Sequence, residues 1–172
     1  DSLGSPRVQM IPFQGQSAPN LFGSLPSTDL TSITTATGIC SYTSGLVVIG
    51  QGNSQIAVAN FEPGTKLFQN NWTFEFPTLL NLSGESMTLT SPSEIDCSGS
   101  EMAIFDRERV LIYEIPGNLA EGITLKQEIV STDPTLSSTN PLSRLTSPLE
   151  LQFFNDGLYL LENSRNRVLK YD

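Results

Sequence analysis

Along the chain, apolar and polar residues alternate in short bursts that come in pairs separated by a polar turn. Residues 45–59, 101–113 and 157–171 each read as an apolar strand, a turn and a second strand, which is the pattern of a β-hairpin. The first strands start at Leu46, Met102 and Leu158, a spacing of 56 residues both times. The second strands are anchored by Ile56, Val110 and Val168, spaced 54 and 58 residues, so the turn absorbs the difference. Self-similarity at such a period is the signature of a repeat architecture.

A further short strand precedes each hairpin, at residues 37–42, 93–97 and 148–153. The last two follow Ser91-Pro92 and Ser147-Pro148, which mark a loop entering a strand. Pro63-Gly64 and Pro116-Gly117 punctuate the first two hairpins, and an alternating fourth strand follows each, at residues 72–76 and 123–129. The expected fold is therefore all-β: β-propeller blades of four antiparallel strands, three blades in the chain. The repeats run over about residues 37–92, 93–147 and 148–172, preceded by an outer strand and a long loop in residues 1–36. The last repeat ends after its third strand, whereas residues 7–11 read as a lone fourth-type strand. A terminal strand that completes the blade built from the opposite terminus is the closure device of propellers. Three blades do not close a ring, but two sets of three make six. The expected assembly is a head-to-tail homodimer, in which residues 7–11 of one copy complete the blade ending at Tyr171 of the other. The alternative is that the remaining blades belong to the rest of a longer chain.

The third repeat resembles the NHL repeat of six-bladed propellers, and through it the gluconolactonase-like proteins. The resemblance rests on Ser147-Pro148-Leu149-Glu150-Leu151, on Asn155-Asp156-Gly157-Leu158-Tyr159-Leu160 and on residues 163–172. The second repeat matches through Ser93-Glu94-Ile95, Asp106 and residues 109–113, and the first by pattern alone. The resemblance implies a six-bladed ring and says almost nothing about function, because a fold hosts many activities.

Composition narrows the chemistry. The 172 residues carry nine Lys and Arg against eighteen Asp and Glu, a net charge of −9, and no His. That balance argues against nucleic acid and an anionic membrane surface as partners. The missing imidazole removes the Ser-His-Asp triad and the HExxH zinc site. No apolar run is long enough to insert in a membrane. Abundant Ser and Thr with few charges point to a secreted or surface-exposed protein. Two sequons, at Asn71 and Asn81, are candidate glycosylation sites.

Among the candidate constellations, Cys40 and Cys97 fall on the innermost strands of adjacent repeats with opposite parity. Packed sheets lie about 10 Å apart, too far for a disulfide unless the sheets converge at the centre. Two buried thiols are the expected state and a disulfide the alternative. Asp96 aligns with Cys40 and Gln152 at the channel-lining position of the inner strand. The gluconolactonase-like relatives imply Ca²⁺ or acid–base use of such carboxylates. Here the other repeats offer Cys and Gln, so solvated acids paired with Arg107 and Arg109 are expected instead, with no cofactor. Asp106 with Arg109, and Glu162 with Arg167, flank the hairpin turns in matching places and read as structural pairs. Gly50-Gln51-Gly52 lacks the later Gly and the helix of a nucleotide loop. Trp72, Phe74 and Phe76 share one strand face, as inter-blade core or, in the rival reading, a platform for a glycan or a partner. Residues 30–61 carry no charge, which suits a covered interface.

These readings favour a non-catalytic propeller module for protein or glycan binding and assembly. The alternatives are a gluconolactonase-like metal-dependent hydrolase and a structural surface protein of a particle or envelope.

Overall fold

The computed structural model describes residues 7–9, 27–29, 33, 35–43, 45–50, 54–60, 74–130, 145, 148–155 and 157–171. They form an all-β chain of fourteen strands with two short 3-10 turns, at Leu119–Glu121 and Asn163–Arg165. In chain order the strands are β1 Arg7–Gln9, β2 Ser27–Asp29, β3 Ala36–Tyr42, β4 Gly45–Gly50, β5 Gln55–Asn60, β6 Leu79–Leu80, β7 Ser86–Met87, β8 Pro92–Ser98, β9 Glu101–Asp106, β10 Arg109–Glu114, β11 Ile123–Ile129, β12 Pro148–Phe154, β13 Gly157–Glu162 and β14 Arg167–Tyr171. Antiparallel meanders build three sheets: β3-β4-β5, β8-β9-β10-β11 and β12-β13-β14.

The 56-residue period holds at the level of register. Ile39 pairs with Val48, Ile95 with Ile104 and Leu151 with Leu160, each the same step of its own hairpin. A register shift recurs at one place in each inner strand, between Ala36 and Gly38, Pro92 and Glu94, and Pro148 and Glu150. Such a bulge bends the strand and raises its twist. Its recurrence shows that all three units share one backbone design, although few side chains repeat.

Strand parity sends alternate residues to opposite faces, so the middle sheet supplies two cores. Ile95, Met102, Ile104, Leu111, Tyr113 and Ile123 pack with Cys40, Tyr42, Val47, Ile49, Ile56 and Val58 of the first sheet. From the other face, Ala103, Phe105, Val110 and Ile129 pack with Leu151, Leu158 and Leu160 of the third sheet. The sheets thus stack in chain order. Gly45 opens the first hairpin because any Cβ there would sit 1.9 Å from the Ala59 carbonyl oxygen.

Several expectations are corrected. Among the described residues, only the middle unit has four antiparallel strands of its own. Of the fourth strand expected at residues 72–76, the described residues 74–76 carry a single bridge between Val58 and Glu75, with N–H···O distances of 2.9 and 2.8 Å, and residues 72–73 lie outside the described residues. Phe74 packs on Ile33, Val48 and Ala57, but Phe76 is exposed rather than sharing that core. Trp72 lies outside the described residues. The chain crosses instead to the far edge of the middle sheet, where β6 pairs with β11 in parallel and β7 closes a hairpin on β6. This covers an edge that would otherwise present unpaired backbone groups. At the other end, Arg7–Gln9 is not a lone strand; it pairs antiparallel with Ser27–Asp29, inside the segment expected to be a loop.

The thiols expected to be free are joined. Cys40 and Cys97 form a disulfide with Cα atoms 5.5 Å apart, so the inner strands approach well inside the usual sheet spacing. The bond closes a loop of 57 residues between two sheets. On the chain-entropy account, such a crosslink stabilises the fold by about 4 kcal/mol. Replacing both cysteines by serine is expected to lower the urea unfolding midpoint accordingly. Alkylation of the native chain without reductant should leave its intact mass unchanged.

Candidate assembly interface

The recurring geometry of this chain lies between its sheets. Cys40 on β3 and Cys97 on β8 are 57 positions apart: one full repeat plus one residue. The same step recurs at the next junction, where the Asp96 Oδ2 accepts a hydrogen bond from the Phe153 backbone N–H at 2.6 Å. Asp96 occupies the repeat position of Cys40, and Phe153 that of Cys97. Two unlike chemistries, a covalent bond and a charge-assisted hydrogen bond, therefore serve one structural task. The Asp96 carboxylate is not a solvated acid paired with arginine, as the sequence suggested. It is the tie between the second and third inner strands.

The second recurring device sits at the hairpin turns. Asp106 is fully buried at the end of β9. Its Oδ1 accepts the backbone N–H groups of Thr90 and Ser91 at 2.8 and 2.6 Å. Its Oδ2 accepts both Arg109 Nε, at 3.2 Å, and Nη2, at 2.9 Å. Arg109 reaches on to Glu128 on β11 at 3.0 Å, so one guanidinium spans the turn and the outer strand. Glu162, also fully buried, holds the equivalent place in the third sheet and accepts Arg167 Nε, with Arg165 at 4.0 Å. Burying a carboxylate is costly unless its lone pairs are used, and here they are. Asp106 thereby pins the loop that enters β8 to the turn leaving β9. The pairs Asp106–Arg109 and Glu162–Arg167 are those anticipated from the sequence; the loop amides and Glu128 are not visible there.

Among the described residues, no group of three or more His, Cys, Asp or Glu side chains is placed to hold a metal ion. Glu94 and Glu150 occupy equivalent places on successive inner strands. Burial, and then the charge of Glu150, push the Glu94 carboxyl above its usual range. Asn81 stands in an exposed turn, where its Oδ1 accepts the N–H groups of Ser83 and Glu85, both at 2.9 Å. Asn71 lies outside the described residues.

Neither a family model nor a curated protein sequence matches this chain. The NHL resemblance thus stands on the repeat residues alone. One solved structure, apo AztD from Citrobacter koseri, overlaps with a TM-score of 0.39 and 8% identity, over 86% of this chain and 49% of that one. The chain spans about half the length of that protein. A TM-score that low does not define a shared fold.

The two outer sheets differ from the middle one in what they leave uncovered. On the first sheet Ile39 is 52% exposed, whereas its counterparts Ile95 and Leu151 are at 8% and 3%. On the third sheet Val168 is 62% exposed, whereas its counterparts Ile56 and Val110 are buried. Phe154 and Leu161 lie exposed beside it, and with Glu150, Gln152 and Tyr159 they line an open groove of about 300 Å³. The counterparts of Ile39, Leu161 and Val168 are buried at both observed junctions, where one sheet receives the next; on the first sheet, Ile33 and Phe74 of the same chain cover the neighbouring Val48 and Ala57. Within the uncharged residues 30–61, Val47, Val48, Ile49, Ala57 and Val58 are buried within the chain itself, whereas Ile39 and Ser41 are exposed. Of the described residues singled out from sequence, Gln152 lies on the open face.

Asp106→Ala is expected to cost about 3 kcal/mol in urea unfolding, because two loop amides and Arg109 lose their acceptor. Arg107→Ala, at an exposed turn position, should be near neutral. Alkaline pH probes the cores independently. Burial, with Glu75 adding to it, pushes the Tyr42 phenol up to about 12. Burial, then Glu162 against the opposing Arg167, takes Tyr171 to about 12 as well. These phenols stay neutral in the fold while those of the unfolded chain ionise near 10. Their contribution is intact below pH 10 and is lost as pH rises towards 12. Stability measured across that window should fall, with phenolate absorbance appearing together with unfolding.

Proposed function

We propose that this chain is a non-catalytic assembly and binding module: three consecutive blades of a β-propeller whose ring is completed by self-association. The observation that carries the reading is the mismatch at equivalent positions. Apolar positions that the interior junctions bury are left open at both ends of the stack: at Ile39 on one side, beside Val48 and Ala57, which Ile33 and Phe74 of the same chain cover, and at Leu161 and Val168 on the other. Fully covering a side chain of this kind gains roughly 1.5–3 kcal/mol. A sheet face that is sticky at one end and complementary at the other makes a heterologous contact, which either closes into a ring or grows into a filament. Two copies of three blades close a six-bladed ring, the number the NHL resemblance implies. Closure forms two junctions for a single loss of translational freedom, so both contribute against one association cost.

The Cys40–Cys97 disulfide supports a secreted or surface-exposed location, since such bonds persist in oxidising compartments. In this reading the acidic, His-free chain uses its recurring inter-sheet geometry for assembly and presents its loops to a protein or glycan partner.

Light scattering tests the reading directly. The expected species has twice the 18.7 kDa mass of one chain. Val168→Asp combined with Leu161→Asp, on the exposed face, should return it to one chain mass while preserving the β-sheet circular dichroism spectrum. A monodisperse single-chain species for the unsubstituted protein overturns the proposal.

A further inference from the structure

Resting on the self-association just proposed, we infer that Gln152 of one copy and Ser41 of the next form the closing junction of the ring. The two junctions inside the chain obey one rule. The residue at the Cys40 position reaches the residue at the Cys97 position of the following sheet, and Cys97 is the counterpart of Ser41 and of Phe153. The rule links Cys40 to Cys97 and Asp96 to Phe153. Applied once more, it takes Gln152 to Ser41 of a following sheet, which only a second copy supplies among chains of this sequence.

Local geometry supports each half of the link. Phe153 pairs with Leu158 in the same register as Ser41 with Leu46. The Phe153 N–H points away from β13 towards Asp96, so the N–H of Ser41 faces the free edge of β3 in the same way. Ser41 and Gln152 are both exposed, as the two halves of an unformed junction must be. The Gln152 side chain offers a carbonyl oxygen to accept the Ser41 N–H, as Asp96 accepts that of Phe153. Its amide N–H groups remain for the Ser41 hydroxyl. A neutral amide also suits a receiving segment that carries no charge from residue 30 to residue 61. The apolar contacts follow the same rule. Ile49 clusters with Ile95, and Phe105 with Leu151. Leu161, the counterpart of Ile49 and Phe105, is thereby set against Ile39 of the next copy. The occupant of the open groove is a second copy of this chain, joined head to tail.

Cysteine cross-linking tests the junction. Because 152 and 41 stand where Cys40 and Cys97 stand in the interior junction, Ser41→Cys plus Gln152→Cys should form inter-chain disulfides under mild oxidation. The expected product is a covalent dimer on a non-reducing denaturing gel, dissolved by reductant and mapped by peptide mass spectrometry to the introduced cysteines. An equimolar mixture of the two single variants should also give covalent dimer, and each single variant alone should not. A non-covalent measurement guards against misfolding of these variants. Gln152→Ala should raise the dimer dissociation constant roughly five- to tenfold, and Gln152→Glu, which keeps an acceptor, should leave it near the original value. A chain that is dimeric by light scattering, yet neither cross-links at these positions nor responds to Gln152→Ala, overturns the junction and leaves self-association standing. A chain that is monomeric overturns both. A ladder of covalent multimers overturns ring closure.

Discussion

The structure depends on how closely the inner strands approach one another. Where two sheets stack by side chains alone, their backbones stand about 10 Å apart. Here β3, β8 and β12 converge until a cysteine on one meets a cysteine on the next, at a Cα separation of 5.5 Å. At the next junction a carboxylate on one strand meets the backbone of its neighbour. Farther from the inner edge, the space between the sheets is filled by Met102, Ile104, Leu111 and Tyr113 on one side and by Phe105 and Val110 on the other. Each core is sealed at its narrow end by a bond that has direction and reach, which fixes how one sheet sits on the next.

The buried acids at the hairpin turns belong to the same economy of construction. Asp106 gathers two loop amides and a guanidinium, and Glu162 gathers Arg167 and Arg165. Removing a charged group from water is tolerable only when its hydrogen-bonding capacity is filled. In filling it, Asp106 orders the loop that enters β8. The first unit has Gly50 at that position in place of an acid. The repeat therefore preserves backbone register while varying the chemistry that secures it: a disulfide in one place, a carboxylate in another.

Much of this was legible in the chain itself. The hairpins, their 56-residue spacing, the preceding inner strands and the acid–arginine pairs all follow from alternation and turn residues, which act over a few positions. The outer parts were less legible. Among the described residues 74–76, the strand expected around Phe74 amounts to one bridge, after which the chain leaves the first sheet to cover the edge of β11. Leu79 and Leu80 give only two residues of pattern, too few to reveal a parallel pairing with a strand more than forty residues later. Arg7–Gln9 has the alternation of a strand, but alternation does not name its partner, and Ser27–Asp29 lacks an apolar signal altogether.

The sequence by itself determined the all-β class, the period, the strand faces and the chemistry excluded by the absence of His, since each is a property of composition or of neighbouring residues. Only the tertiary structure decided that Cys40 and Cys97 are joined, that Asp96 ties two strands rather than lining a site, and that Ile39 and Val168 stand open while their counterparts are buried. The physical reason is distance. Those outcomes depend on groups 57 residues or more apart, or on a neighbouring sheet being present or absent, and local alternation carries no measure of either.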